Sequence, residues 1–495
     1  MGILKKRYVV PPLGGQLQCR SRGRLKAGLH TFALVLVGVA IQTGAQEHPN
    51  VLFIAFDDLN DWVGCLGGHP NAKTPNIDAL AKRGMLFTNA ACPAPICNPS
   101  RASIMSGMLP STSGVYDNSP FFRGSPVLKD VATMPQYFQQ HGYAALRTGK
   151  IFHNQTETDP QSWDAAFPSL DVHKPDASVP EKYKGMKQAQ YKWETGALPL
   201  SDAEMDDGMV ADWAIGQLEQ KHDKPFFLAV GMYHPHLPWF APKKYFDMHP
   251  IDTVQLPIIN LNDRDDIPAI AQKFNTNAGH KRYKEFTATK ELWREKVQAY
   301  LAATSFADAQ VGRVLQALEN SEYADNTVIV LWSDHGWHLG EKLHWTKYSL
   351  WEEAARVPLI FAGTKVPKVG KCDVPVSLVN LYPTLANLCG LPANPANDGM
   401  DMTPLLENPA LDWERPALTT HGVNNHSVRT KRWRYTRWSD GSEELYDHDA
   451  DPLEWKNLAD NPEHAALKIE LSKWFPTVNA PDAKPPKKNR KRKKQ

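Results

Sequence analysis

Short, unbroken apolar runs alternate along this chain with longer stretches of helical period. Asn50–Phe56 (NVLFIAF), Phe226–Tyr233 and Thr327–Trp332 are mostly apolar from end to end, as expected of strands buried on both faces of a parallel sheet. Tyr143–Leu146 and Pro358–Ala362 predict two more strands. Val297, Leu301, Val311, Leu315 and Leu318 recur at helical spacing and predict a helix over Glu291–Glu319. Thr74-Pro75 opens another helix that Gly84 closes, and Thr133–Gln140 reads as a third, stopped by Gly142. Asn98 reads as an N-cap and Pro99 as the first helical residue of a helix reaching Gly107, which places Cys97 just ahead of it. Residues 155–224 are polar and rich in Pro, Lys and Asp, and read as an insertion or long loops; residues 240–290 read as irregular.

Strands alternating with helices predict an α/β fold, a mostly parallel sheet with helices on both faces. Beyond residue 410 the pattern changes. Arg432–Trp438, the turn Asp440-Gly441 and Glu444–Tyr446 predict a hairpin within a small C-terminal antiparallel sheet. The expected division is an export signal at 1–45, the main α/β domain at 46–410, the subdomain at 411–483 and a disordered basic tail at 484–495.

Charge separates these parts. The chain has 495 residues, 42% of them apolar, and a formal charge of +2. Residues 1–45 hold seven Lys/Arg and residues 484–494 hold eight, with no acid in either. Removing these from 56 basic residues leaves 41 against 54 acids, so the body carries about −13. A nucleic-acid-binding protein would carry its basic charge on the folded body, so that class is set aside. Basic residues ahead of the apolar run Thr31–Ile41, with Thr43-Gly44-Ala45 following, read as a signal peptide cleaved before Gln46. The run is too short to span a bilayer comfortably. The expected mature protein is therefore secreted or periplasmic, with no transmembrane segment. Cys19 leaves with the signal; Cys65, Cys92, Cys372 and Cys389 are open to pairing whose connectivity spacing does not settle.

Chemistry collects at the strand ends, where open α/β sheets bind ligands. Asp57-Asp58 and Asp334-His335 each follow a strand. Adjacent carboxylates repel unless a cation or hydrogen bonds satisfy them. Three of them suit an oxygen-rich cage for Ca²⁺, or less well Mg²⁺, with His335 completing the shell. Zinc would call for more His or Cys ligands. Lys150, His153, His236, Lys347 and Arg101 flank the same strand ends and suit a doubly charged oxyanion. Cys97, at a helix start that attracts anions, is either a nucleophile precursor or an ordinary buried thiol.

These residues together resemble the type I sulfatases of the alkaline-phosphatase-like superfamily. The resemblance runs from about Asn50 to Ala459. It is strongest at Asp57-Asp58, Cys97-Asn98-Pro99-Ser100-Arg101, Gly149–His153 and Ser333-Asp334-His335-Gly336. Asn50–Leu59, Met134–Phe138, Phe226–Pro238 and Ser333–Tyr348 make the chain most similar to the iduronate-2-sulfatase branch. The resemblance implies that a formylglycine-generating enzyme oxidises Cys97 to an aldehyde, whose hydrate is the nucleophile. It implies Ca²⁺ held by Asp57, Asp58, Asp334, His335 and the modified Cys97. Arg101 and Lys150 would steady the diol, His153 would be the base, and His236 and Lys347 would bind sulfate. Trp337 and Arg123 are candidate sugar contacts, the alternative for Trp337 being to pack beneath the site. The implied substrate is a sulfated mono- or oligosaccharide, and the location lysosomal in a eukaryote.

Two departures bear on specificity, and the first is that residues 155–200 differ from the branch in the region where it builds substrate loops. The lysosomal iduronate enzymes are expected to carry an arginine two residues before Tyr116, and Gly114 stands there instead. Two other readings remain: a phosphate- or phosphonate-ester hydrolase of the same superfamily, and a non-catalytic anionic-glycan-binding protein. Oligomeric state leaves no mark in the sequence.

Overall fold

The computed structural model describes residues 48–119, 121–153, 159–167, 180–184, 190–276 and 279–483. The expected signal at 1–45 and the basic tail at 484–495 lie outside the described residues. In chain order the strands are β1 (Asn50–Phe56), β2 (Gly84–Ala91), β3 (Ala144–Gly149), β4 (Ala165–Ala166), β5 (Thr195–Leu198), β6 (Phe226–Gly231), β7 (Trp239–Pro242) and β8 (Thr327–Ser333). They continue with β9 (His338–Leu339), β10 (Trp345–Thr346), β11 (Arg356–Gly363), β12 (Gly370–Cys372) and β13 (Val376–Ser377). Last come β14 (Ala417–Thr420), β15 (His426–Arg429), β16 (Trp433–Arg437) and β17 (Glu443–Asp447).

The main sheet has the order β12-β2-β11-β8-β1-β6-β3-β4, with β13 beside β2. Only β11 runs against its neighbours, pairing antiparallel with both β2 and β8. Central β1 is buried along its whole length because each face meets a separate core. Val51 and Phe53 pack with Phe227, Val330 and Trp332 on one side. Leu52, Ile54 and Phe56 pack with Leu228, Val230 and Leu331 on the other. An alternating strand wetted on neither face reads as a continuous apolar run. Helix α1 (Pro75–Lys82), the helix Asp206–Leu218 and the long helix Lys290–Glu319 cover the second core; α2 (Cys97–Ser106) and the helix Met134–Gln140 cover the first.

Register sets the site. Phe56 lies opposite Ser333, Ala55 opposite Gly231, and Gly231 opposite Gly149. Asp57, Asp334, Met232 and Lys150 therefore leave the sheet side by side.

Several expectations need correction. Helix α2 starts at Cys97 with Ile96 as its N-cap, so Pro99 is its third residue rather than its first. Gly84 does close α1, but it also opens β2, which its mixed composition concealed. The stretch read as loops contains the helix Asp206–Leu218, and the irregular stretch contains most of β7, three short α-helices and a 3₁₀ turn. The C-terminal hairpin is half of a four-stranded sheet, β14-β15-β16-β17. That sheet is tied to the main body through buried Arg434, which pairs with Glu454 at 2.6 Å and with Glu352. The described cysteines are all free thiols.

Gly149 is a point of close backbone approach under the site. Its φ is +67°, and a Cβ there would lie 2.0 Å from the Gly231 carbonyl oxygen. Gly149→Ala should cost about 2–5 kcal/mol through backbone strain and overpacking. Urea denaturation would show this as a lower midpoint; an unchanged midpoint would remove the steric role.

Candidate active site

Strand ends deliver the acids, and a helix start delivers the thiol. Asp57 and Asp58 follow β1, Asp334 and His335 follow β8, Lys150 follows β3, and His236 lies on the loop after β6. Cys97 is the first residue of α2, where backbone N–H groups lack helical acceptors. Asn118 Oδ1 accepts from Asn98 N at 3.0 Å, and the Asn98 side chain donates to Asp117 O at 2.9 Å.

Around the thiol the groups converge closely. Cys97 Sγ lies 3.0 Å from Lys347 Nζ, 3.3 Å from His335 Nε2 and 3.5 Å from Asp57 Oδ1. Lys150 Nζ pairs with Asp57 Oδ2, and Lys347 Nζ pairs with Asp58 Oδ1 at 2.7 Å. His236 Nε2 stands 3.8 Å from Asp58 Oδ2. Asp58 is held at φ +67°, with Tyr300 Oη donating to its carbonyl at 2.8 Å and Asp334 Oδ1 accepting its N–H at 3.2 Å. Thr346 and Tyr348, on either side of Lys347, also have positive φ. Such strain persists where the surroundings over-determine it, as they do here.

Burial and charge compete at each group. Burial pushes the Asp58 carboxyl up to about 7, helped by the Asp57 charge and opposed by Lys347. Burial would also raise Asp57, but Lys150, His236, Arg101 and Lys347 hold it well below the carboxylate range. For Cys97 the Lys150 and Lys347 charges outweigh burial and Asp57, so the thiol falls below its ordinary range. Burial and the Lys150 charge lower His153 to about 3. A quarter of the His236 side chain reaches solvent, yet desolvation of its ring outweighs the pull of Asp57 and holds it well below the histidine range.

Asp57, Asp58, Cys97 and His335 each place a ligand atom within 4.8 Å of the others. Asp58 Oδ2 is buried with no hydrogen-bond partner. An orphaned acceptor inside an acidic cluster fits a cation.

Four sequence expectations change. Asp334 stays outside that cluster, because Oδ2 accepts from Arg101 Nε at 2.7 Å and Oδ1 from the His335 N–H at 3.0 Å. Arg101 directs its donors at Asp334 and three backbone carbonyls, so it positions the site rather than reaching outward. Arg123 is corrected as a sugar contact: it is held by Asp159, Gln136 and the Leu128 carbonyl. Trp337 is 3% exposed and lies beneath Lys347, whose Nζ is 5.5 Å from the ring centroid. It packs under the site.

Asp207 escaped the sequence reading. It accepts from Tyr233 N at 2.7 Å, His234 N at 2.9 Å and His234 Nδ1 at 2.8 Å, fixing the loop that carries His236. Its signal lay in a helix that polar composition disguised.

Comparison with known proteins agrees with this geometry. The Sulfatase family matches residues 49–391, and the C-terminal N-sulphoglucosamine sulphohydrolase family matches residues 340–480. A sulfatase of Formosa agariphila is 39% identical, covering 88% of this chain and 87% of that protein. Iduronate 2-sulfatase of Mus musculus is 30% identical over 90% of this chain and 96% of that protein. A solved 2-O GAG sulfatase superposes with a TM-score of 0.66 at 25% identity, covering 86% of this chain and 90% of its own. Family match and folded geometry lead to one conclusion: the chain belongs to the sulfatase family and is a sulfuric ester hydrolase.

Proposed function

We propose that the chain is a calcium-dependent, exported sulfatase that hydrolyses sulfate esters of a sulfated carbohydrate in an iduronate-2-sulfatase-like manner. Residues 46–410 form its catalytic domain and residues 411–483 a bracing subdomain. The observation that carries this reading is the placement of Cys97 Sγ between Lys347, His335 and Asp57. That is where a formylglycine hydrate would need both cations and an acidic cage.

Asp57, Asp58, His335 and residue 97 would hold the calcium ion, with Asp334 behind them. The ion, when bound, supplies positive charge for an attacking oxygen and for the sulfate. Lys150 and Lys347 neutralise the acids and face residue 97, so the anionic group meets preorganised charge. A formylglycine hydrate at residue 97 would supply the nucleophile as an ionised oxygen, favoured by Lys150 and Lys347, so that an O–S bond forms as the S–O bond to the sugar breaks. His236 and Lys347 bind the sulfate, and one of them donates a proton to the leaving oxygen. His153, neutral through burial and the Lys150 charge, then takes the proton of the second hydroxyl. Loss of that proton would let the aldehyde re-form as sulfate departs, an exit that a serine ester lacks.

Protein made with a formylglycine-generating partner should hydrolyse members of a panel of sulfated mono- and disaccharides. Its Cys97 peptide should weigh about 18 Da less than the unmodified form. Cys97→Ala should lower kcat/KM by at least about 10³-fold. No turnover across the panel would sink the reading, and higher kcat/KM on phosphate or phosphonate esters would favour the rival hydrolase.

Chelation supplies a second check. Removing divalent ions should abolish turnover and lower the Tm, with Ca²⁺ restoring both better than Mg²⁺. At 100-fold above Kd the ion would add about 2.7 kcal/mol of stability. Full activity after exhaustive chelation would refute the metal.

A further inference from the structure

Two cations outside the catalytic cluster meet on one indole ring. Lys192 Nζ lies 5.1 Å and Arg282 Cζ 4.5 Å from the Trp193 ring centroid. The negative face of the ring attracts each of them and so gathers two like charges. Trp193 is fixed from within the fold. Buried Lys296 donates to its carbonyl at 2.9 Å, and its ring packs on Phe286 with centroids 5.7 Å apart.

The fold places this pair beside the sulfate-facing groups. β5 runs parallel to β7 with Thr195 opposite Trp239. Lys192 stands three residues before Thr195 and His236 three before Trp239, so both precede the same end of that ribbon. The helix Gly279–Phe286, which carries Arg282, packs on the segment that leads to Lys347. Phe286 meets Trp345 of β10 with centroids 5.2 Å apart, and His280 Nδ1 lies 2.9 Å from Leu343 O.

No carboxylate among the described residues pairs with Lys192. Partial burial lowers its ammonium below the ordinary lysine range, as do the Arg282 and Lys347 charges. Arg282 pairs with Glu285 at 2.5 Å, an exposed contact one turn along the helix that a ligand can displace. Positive charge gathered beside a sulfate site, and matched by one surface acid, complements a second anion. We propose that Lys192 and Arg282, held together by Trp193, form a second anion subsite that takes a carboxylate or a further sulfate on the saccharide whose ester is cleaved. This inference rests on the sulfated-carbohydrate reading above. An ammonium and a planar guanidinium suit either group, since both anions present paired oxygens.

Binding to full-length Cys97→Ala protein tests the subsite without turnover. The probes are glucose 2-sulfate, glucuronate 2-sulfate and glucose 2,6-disulfate, compared by calorimetry. At least one doubly charged sugar should bind about tenfold more tightly than glucose 2-sulfate, and which one does so tells carboxylate from sulfate. Lys192→Gln and Arg282→Gln, each added to this background, should cut that preference severalfold, and together they should abolish it. Lys281→Gln removes a charge from the same helix outside the subsite and should leave the preference intact. No preference in the background protein, or one that survives both substitutions, would overturn the proposal. So would an equal loss in Lys281→Gln, which would make the effect one of overall charge. Failure here with turnover intact on the sugar panel removes the subsite alone; failure of that panel removes the reading beneath it.

Discussion

A guanidinium with no solvent access binds three strand ends into one site. Arg101 Nε meets Asp334 after β8, its Nη1 meets the Lys150 and Ile151 carbonyls after β3, and its Nη2 meets the Phe56 carbonyl ending β1. Asp57 Oδ1 stands 3.6 Å from the same Nη2. A buried charge of this kind is tolerable only when its donors are matched, and here each nitrogen has a partner. The planar fork fixes the angles between the strand ends as well as holding their charges. Lysine could supply the charge but not the fork. Because Arg101 lies one turn along α2 from Cys97, the same contact also sets where the thiol points.

The remaining electrostatics follow from that frame. Burial and the neighbouring Asp57 charge make Asp58 harder to ionise, whereas Asp57, ringed by cations, falls. Lys150 and Lys347 offset part of the repulsion and leave Asp58 Oδ2 without a partner. The positive φ at Asp58, Thr346 and Tyr348 shows the backbone bent to bring these charges together. Charge is preorganised before any substrate arrives, and the packing on both faces of the sheet sustains the strain.

Much of this was legible in the sequence because strand ends carry their chemistry in runs. NVLFIAF followed by two aspartates, and TVIVLW followed by Ser-Asp-His, each join a buried strand to a polar end. Residues whose role depends on distant partners were not legible. Arg123 looked available until Asp159, 36 residues on, took its guanidinium. Asp334 looked like a cage ligand until Arg101 engaged it. β2 went unseen because Thr88 and Asn89 interrupt its apolar run, although seven of its eight residues are buried between β11 and the short strands β12 and β13. The start of α2 moved to Cys97 because Asn118, from another loop, accepts the Asn98 N–H.

Exposure within the site defines the direction from which a substrate can approach. Asp57 has no solvent access, and the Lys150 and Lys347 side chains keep only about a twentieth of theirs, whereas His236 keeps a quarter. Of these four groups His236, on the β6–β7 loop, is the most open to solvent. Asp207 clamps that loop from behind, so this group is also firmly placed. Arg123 and Trp337 are both taken up by the interior, and a Cβ at position 114 would meet the Pro481 carbonyl oxygen at 2.4 Å. Loops around His236 can vary without disturbing the strand ends, because the Arg101 contacts hold those ends from within. The buried frame and the partly exposed rim are therefore separable parts of the site, and a change of specificity on the proposed reading is a change of rim.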